Sequence, residues 1–411
     1  MSNLRRAVQL ARSTEGRRRI ARAAVGRAAL ALGPDLLVDD YVNLADLADL
    51  ENPWRPDPPR PAEPGSALDL AFVTTPPAVG SGGHTTLFRM ISACEHAGHR
   101  TRLLIYDPFR GSPDVAHAHL REGWPEVRAG ISSLDDGYSG ADLVVTSAWQ
   151  TAHATMQRAQ TDRQPARLAY FIQDFEPFFA PRGFVAALAE SSYRLGLHPI
   201  ALGQMVARHL RTQCDLEPDV IDFGCDLATY RQPSRDDRYG VVFYARPSAA
   251  RRGYGLAVEA LRIVAEQRPD IPIYGYGQEQ APHLSFPMTW HGRLSPSELA
   301  SLYGRSVCGL ALSFTNISLV AGEMAAAGCV PIINDSPDAR ADLPNEAAEW
   351  APPTPRALAA RIIATHDGGR LSRDRSERSV AAMTRTWEDA SRDFLTVVDR
   401  LCYAGGVASE R

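Results

Sequence analysis

The chain has 411 residues, 45% apolar and 22% charged, with a net charge of −4. That length exceeds one ordinary core and suits two or three domains. The charge balance gives no support to nucleic-acid binding, and without a run of about 18 apolar residues no membrane-spanning helix is expected. All 44 basic residues are arginine, so any anion clamp must be built from guanidinium groups or backbone amides. The cysteines Cys94, Cys214, Cys225, Cys308, Cys329 and Cys402 form no C-x-x-C pair. Reduced thiols and a cytoplasmic location are expected, with neither a zinc site nor a disulfide framework.

Residues 1–34 are a separate basic block. Within 1–32, eight arginines face one acidic residue, Glu15, and Leu4, Val8, Leu10, Ile20, Val25 and Leu30 are interspersed among them. One or two amphipathic helices are predicted, with Ser13-Thr14 a break. Such helices lie on anionic membrane surfaces or pack as a solvated pair, and composition leaves both open. The arginines that interrupt each apolar stretch speak against a signal peptide. Gly33-Pro34 stops the block. Residues 35–67 read as a connector, stiffened by six prolines within 52–65, NPWRPDPPRPAEPG.

An α/β rhythm begins at Asp69. LDLAFVT, TRLLIYD, ADLVVTSA, ARLAYFIQD, HPIALG and DVIDFG read as short apolar strands, with TTLFRMISACEHAG as the first helix between them. A second series runs YGVVFYAR, helix LAVEALRIVAEQ, strands IPIYGYG and MTWHG, helix PSELASLYGRS and strand CGLALSF. The fold class is α/β, with two doubly wound parallel-sheet halves over 68–236 and 237–385, joined near 224–238, and a final helical segment at 386–411.

Five places in this frame can carry chemistry. AVGSGGH, residues 78–84, puts Gly80, Gly82 and Gly83 between a strand and a helix, where backbone can approach a ligand. Its spacing is not G-x-G-x-x-G, which counts against a dinucleotide. YFIQDFEPFF ends a strand with Gln173, Asp174 and Glu176 at its carboxyl end, where open sheets bind ligands. FYARPSAARRG places Arg246 and Arg252 at one strand end, suited to a diphosphate. Gly275, Gly277 and Leu294, in YGYGQE and WHGRL, offer backbone against which a flat base could sit; His291 reads as structural. GLALSFTNISLVAGEMAAAGCVPIIN, residues 309–334, runs strand, turn, helix, strand. Ser318 is its predicted N-cap, Leu319 and Val320 its first turn, Glu323 a carboxylate within it and Gly328 its stop. The free amides of such a helix suit a phosphate. Each feature also has a plain reading as turn, cap or solvated side chain.

In this order the segments resemble the retaining GT-B glycosyltransferases of family 4, over about residues 68–400. YFIQDFEPFF, FYARP and TN-x-SLV narrow the resemblance to bacterial polysaccharide rhamnosyltransferases. The resemblance implies two Rossmann-like domains facing a cleft, the first on the acceptor side and the second holding the donor. It implies transfer of a sugar, L-rhamnose from dTDP-rhamnose as the best expectation, to a saccharide or lipid-linked glycan. Under it, Arg246 and Arg252 neutralise the donor diphosphate, and Ser318, Leu319 and Val320 meet the phosphates, with Asn316 just before them. Glu323 holds the ribose, Gly82 and Gly83 face the diphosphate, and Gln173-Asp174 stands at a common His-Asp pair. No metal and no cofactor are implied, the hinge falls at 224–238, and the last helix crosses back to the first domain. Two positions depart from the pattern. Thr315 stands where the family has its first carboxylate, and Gln173 replaces a histidine. Thr315 keeps a second function open, that of a non-catalytic relative binding a nucleotide sugar or a partner enzyme. A Rossmann oxidoreductase is the third reading, disfavoured by the glycine spacing.

Overall fold

The computed structural model describes residues 42–51, 55–109, 113–163, 165–231, 238–247, 249–317 and 319–404. The basic block 1–32, residues 232–237 of the predicted hinge segment and the predicted N-cap Ser318 lie outside the described residues.

The first domain alternates strands and helices in chain order. They are β1 (Asp69–Thr74), α1 (Gly82–His96), β2 (Arg100–Ile105), α2 (Pro113–Gly123), β3 (Gly130–Ser133) and β4 (Leu143–Thr146). α3 (Trp149–Asp162), β5 (Leu168–Ile172), α4 (Phe184–Ser192), β6 (His198–Leu202), α5 (Gln204–Cys214) and β7 (Asp219–Ile221) follow. The strands form one parallel sheet in the order β3-β2-β1-β4-β5-β6-β7. Phe72 pairs with Leu103 on one side and Val145 on the other. Helices cover both faces, so the central strands are apolar throughout: all five residues of β5 are buried.

A short helix, α6 (Leu227–Tyr230), leads to the second domain. There β8 (Val241–Tyr244), α7 (Tyr254–Gln267), β9 (Ile273–Tyr276), β10 (Thr289–Trp290), α8 (Pro296–Arg305) and β11 (Cys308–Leu310) come first. α9 (Leu319–Ala326), β12 (Val330–Asn334), α10 (Pro337–Arg340), β13 (Glu349–Ala351), α11 (Pro355–His366), α12 (Arg370–Ala382) and α13 (Trp387–Cys402) complete the chain. The sheet order is β10-β9-β8-β11-β12-β13, again parallel. Helix starts follow local chemistry. At α8, Ser295 accepts from the Glu298 amide and the Glu298 carboxylate accepts from the Ser295 amide at 2.8 Å, with Pro296 in the first turn.

In each sheet the strand order reverses beside its first strand. β1 lies between β2 and β4, and β8 between β9 and β11. Loops leaving such a reversal part to opposite faces and open a crevice at the carboxyl ends of the strands. The glycine loop follows β1 and the arginine loop follows β8, so both stand at a crevice.

Two segments tie the ends together. The proline-rich connector is not a bare surface tether: Val42 and Ala48 join the first domain's core, and Ala62 bridges to Tyr403. α13, although last in sequence, packs on the first domain. Its Phe394 is fully buried, with its ring 5.5 Å from Phe171 and 6.3 Å from Phe72. Truncating it leaves a cavity beside two aromatic side chains. Phe394→Ala is expected to cost about 3–5 kcal/mol in urea unfolding; a loss under about 1 kcal/mol would show that α13 contributes little to the first domain.

Candidate active site

The arginine loop is shaped by its backbone. After β8 the chain passes Arg246, makes a tight turn over Ala250–Arg252, and enters α7 through Gly253. Gly253 has φ +60°, and a Cβ there would stand 2.8 Å from the Phe314 ring. A side chain would be strained and obstructed at once. The turn aims Arg252 inward, where Nη1 donates to Ser313 Oγ at 2.7 Å and to the Asn316 carbonyl at 3.2 Å. Burial pulls its guanidinium down to about 10, against the opposing pull of Asp174. Arg246 is exposed, with Nη1 donating to Tyr244 at 3.3 Å. Arg251 and Arg246 both press on Arg252 as like charges. Three cations within seven residues concentrate positive charge at this edge.

The facing domain sends one carboxylate to it. Asp174, 6% exposed, follows β5. Its Oδ2 accepts from the Thr315 hydroxyl at 3.0 Å, and its Oδ1 from the amides of Asn316 at 3.3 Å and Phe175 at 2.9 Å. Arg251 Nε lies 3.9 Å from Oδ2. Burial raises the Asp174 carboxyl above the usual range, while Arg252, Arg251 and the hydrogen bonds oppose it. Beside it, Asn316 Nδ2 donates to the Gln173 carbonyl at 2.6 Å. These contacts give a physical reason for Thr315. A carboxylate at 315 would confront that of Asp174 in a buried space, whereas a hydroxyl donates to it.

The remaining residues singled out in the sequence converge from two directions. Leu319 and Val320 open α9, and Gly328, at φ +76°, follows its end. A Cβ on Gly82 would lie 3.7 Å from Leu319 Cδ1, and one on Gly83 would lie 3.6 Å from Gln173 Oε1. The glycine loop, the end of β5 and the start of α9 therefore meet across the domain boundary. Val320 and Arg252 also line one pocket with Tyr244, Leu310 and Leu312.

Glu323 stands one turn further on, with partners that sequence did not suggest. Tyr230 hydrogen-bonds its carboxyl, and Arg89 of α1 and Asp226 act on it. Burial pushes it up to about 7, against the pull of Arg89. Arg89 is itself half-buried and stacks 4.7 Å over the Trp387 ring. Gly277, with φ +128°, packs against Ala245 and Tyr244 beside the arginine loop. Gly275 answers to strand packing instead: a Cβ would meet Met288 and Trp290 at 2.6 and 2.7 Å. Leu294 packs on the second domain's core and borders a groove of about 350 Å³ with His291, Ser297, Ser301 and Arg305. Burial and Arg305 hold the His291 ring below its ordinary range.

Sequence reasoning passed over Arg251, although it adjoins Arg252 in ARRG. It also passed over Arg89 and Tyr230, for which one sequence carries no signal, since their meeting with Glu323 is made by the domain arrangement.

Residues 239–363 match the family model described as WsaF, C-terminal domain. An O-antigen biosynthesis protein, RfbC of Myxococcus xanthus, is 28% identical over 329 residues, 76% of this chain. The chain spans about a quarter of that relative's length, 26%. Among solved structures, HepE of Anabaena in complex with UDP-glucose aligns over 80% of this chain and 99% of its own, with TM-score 0.63 and 11% identity. The fold is GT-B. Sucrose-phosphate synthase of Thermosynechococcus elongatus aligns over 81% and 99%, with TM-score 0.61 and 16% identity. Among the described residues no helix is long and apolar enough to cross a membrane.

Glu176, two residues after Asp174, holds this loop in shape. Its Oε2 accepts from the Trp149 amide at 2.6 Å and the Tyr170 hydroxyl at 2.9 Å. Burial pushes its carboxyl up to about 8, from an ordinary 4.5. Between those values the folded chain keeps a proton that the unfolded chain has lost, so stability falls as pH rises. Glu176→Gln removes that titration. Its melting temperature should decline less than the parent's from pH 5 to pH 8; parallel curves would show that Glu176 is ionised throughout.

Proposed function

We propose that the chain is a nucleotide-sugar-dependent glycosyltransferase acting in the assembly of a cell-surface polysaccharide. The observation that carries this reading is the meeting of Arg246, Arg251 and Arg252 with the start of α9, Gly82, Gly83 and Asp174 in one cleft. A nucleoside diphosphate leaves with two negative charges to stabilise. Fixed guanidinium groups in a cleft meet that charge without reorganising at the moment of reaction. Asp174 stands beside them as the carboxylate of the acceptor-side domain. The name of the Myxococcus relative, an O-antigen biosynthesis protein, supports a saccharide or lipid-linked glycan as acceptor.

The finer reading is a retaining transfer of L-rhamnose from dTDP-rhamnose, within family 4. It is supported by the segments YFIQDFEPFF, FYARP and TN-x-SLV and by a hydroxyl at Thr315 in place of a carboxylate. With retention, the bond from the anomeric carbon to the diphosphate oxygen breaks as the acceptor oxygen bonds on the same face. The departing oxygen takes the acceptor proton. Arg252 and Arg246 bind the diphosphate, and the amides at Leu319 and Val320 lie at the helix end that faces it. Glu323 holds the ribose. The second reading is a non-catalytic relative, in which Asp174 occupies the arginines as a fixed internal anion.

Arg252→Ala is expected to lower kcat/KM by about 100-fold or more with the melting temperature near the parent's. Near-normal turnover would reject its role. Binding of dTDP, UDP and GDP sugars with no product from any would favour the non-catalytic relative, and preference for UDP or GDP would remove the rhamnosyl reading.

In this reading arginines and amides carry the charge without a divalent ion. Turnover in excess EDTA should match that in magnesium; a tenfold loss in EDTA would overturn the assignment.

A further inference from the structure

Two buried polar atoms beside Asp174 have no hydrogen-bond partner among the described residues. One is Asn316 Oδ1, an acceptor on a side chain only 6% exposed. Its orientation is settled by the amide nitrogen, which donates to the Gln173 carbonyl at 2.6 Å and leaves the oxygen over. The other is Arg251 Nε, a donor. Asp174 Oδ2 lies 3.9 Å from it, an ion-pair distance too long for a hydrogen bond. Leaving such groups unpaired costs about 1–3 kcal/mol each, and native interiors rarely bear that without use. Asp174 joins the two, since its carboxylate also accepts from the Asn316 amide at 3.3 Å.

We propose that Asn316 Oδ1 and Arg251 Nε form a subsite that reads a hydroxyl of the donor's sugar ring. The inference rests on the glycosyltransferase reading and assigns it two specificity-determining residues. A hydroxyl is the one common sugar group that donates and accepts through a single oxygen. Its hydrogen serves Asn316 Oδ1 and its lone pair serves Arg251 Nε. The ring concerned is the donor's, because the Asn316 carbonyl accepts at 3.2 Å from Arg252, the residue given to the diphosphate. The sugar carbon bonded to that diphosphate is the nearest ring atom to follow.

The surroundings suit a pyranose. Arg251 is held with Cζ 4.4 Å from the Phe179 ring centroid, and its carbonyl accepts from the Phe314 amide at 2.9 Å. Phe179 and Phe314 stay 45% and 42% exposed. Two exposed aromatic side chains at a polar site offer apolar surface to the C–H face of a ring. Holding Arg251 against Phe179 also fixes where its Nε–H points. Sites that hydrogen-bond a hydroxyl discriminate strongly against ligands lacking it, because the buried groups are then left unpaired.

The test compares nucleotide sugars with bare nucleotide diphosphates by calorimetry on the full chain. The probes are dTDP, dTDP-rhamnose, UDP and UDP-glucose. In the parent the preferred sugar nucleotide should bind more tightly than its diphosphate. Arg251→Lys keeps the cation and removes the Nε–H; Asn316→Ala removes the acceptor. Each should cut the affinity for the sugar nucleotide about tenfold more than that for the diphosphate alone, with melting temperatures showing both variants folded. Equal losses for sugar nucleotide and diphosphate would overturn the subsite. Unchanged donor affinity with a raised acceptor KM would assign these atoms to the acceptor and overturn it too. If the parent binds none of the four probes, the glycosyltransferase reading falls and the inference with it. If Asn316→Ala fails to fold, Arg251→Lys decides.

Discussion

Asp174 is the group around which the two domains are arranged. It belongs to the first domain by chain position and to the second by its contacts, through Thr315, Asn316 and the arginines beside them. A carboxylate so buried persists only with compensation, and its compensation is drawn largely from the opposite domain. The pairing works in both directions. Asp174 offsets part of the repulsion among the three arginines. Placing the domains further apart would strand a carboxylate on one wall and unbalanced cations on the other.

The same exchange of charge across the boundary recurs. Asp342 of the second domain accepts from the Met205 amide at 3.2 Å, at the start of α5 in the first. A carboxylate from one domain thus caps a helix in the other. Burial pushes it up to about 6, against those amides. Asp338 pairs with Arg208, and with His209 Nε2 at 2.8 Å. Glu323 draws on Arg89 in the same way. The boundary is polar and titratable, so the contact between domains depends on protonation.

Much of this was legible from the chain. Short apolar strands bounded by glycine and helices with clear stops gave the two parallel sheets, because burial on both faces demands continuous apolar runs. The glycine and arginine loops were found because residue type and strand ends coincide in sequence. Legibility failed where the partner comes from afar. Thr315 looks like a loss when only its own segment is read; its reason is Asp174, on the other domain. Arg89 and Tyr230 carry no local signature, since only the domain arrangement turns them toward Glu323. Arg251 was hidden differently, as the middle residue of a turn whose neighbour drew the attention. Gly275, in turn, reads like a ligand loop and answers to the bulk of Trp290.

The polypeptide passes between the domains twice, and the passages touch. Cys225 pairs with Thr386, its amide donating to the Arg385 carbonyl at 3.0 Å, and a Cβ on Gly224 would collide with the Thr386 backbone. Residue 224 belongs to neither core, so a side chain there would leave both sheets intact. What it would disturb is the contact between the two passages. A lesion at this glycine would therefore set the two crossings against each other while sparing the interior of either sheet.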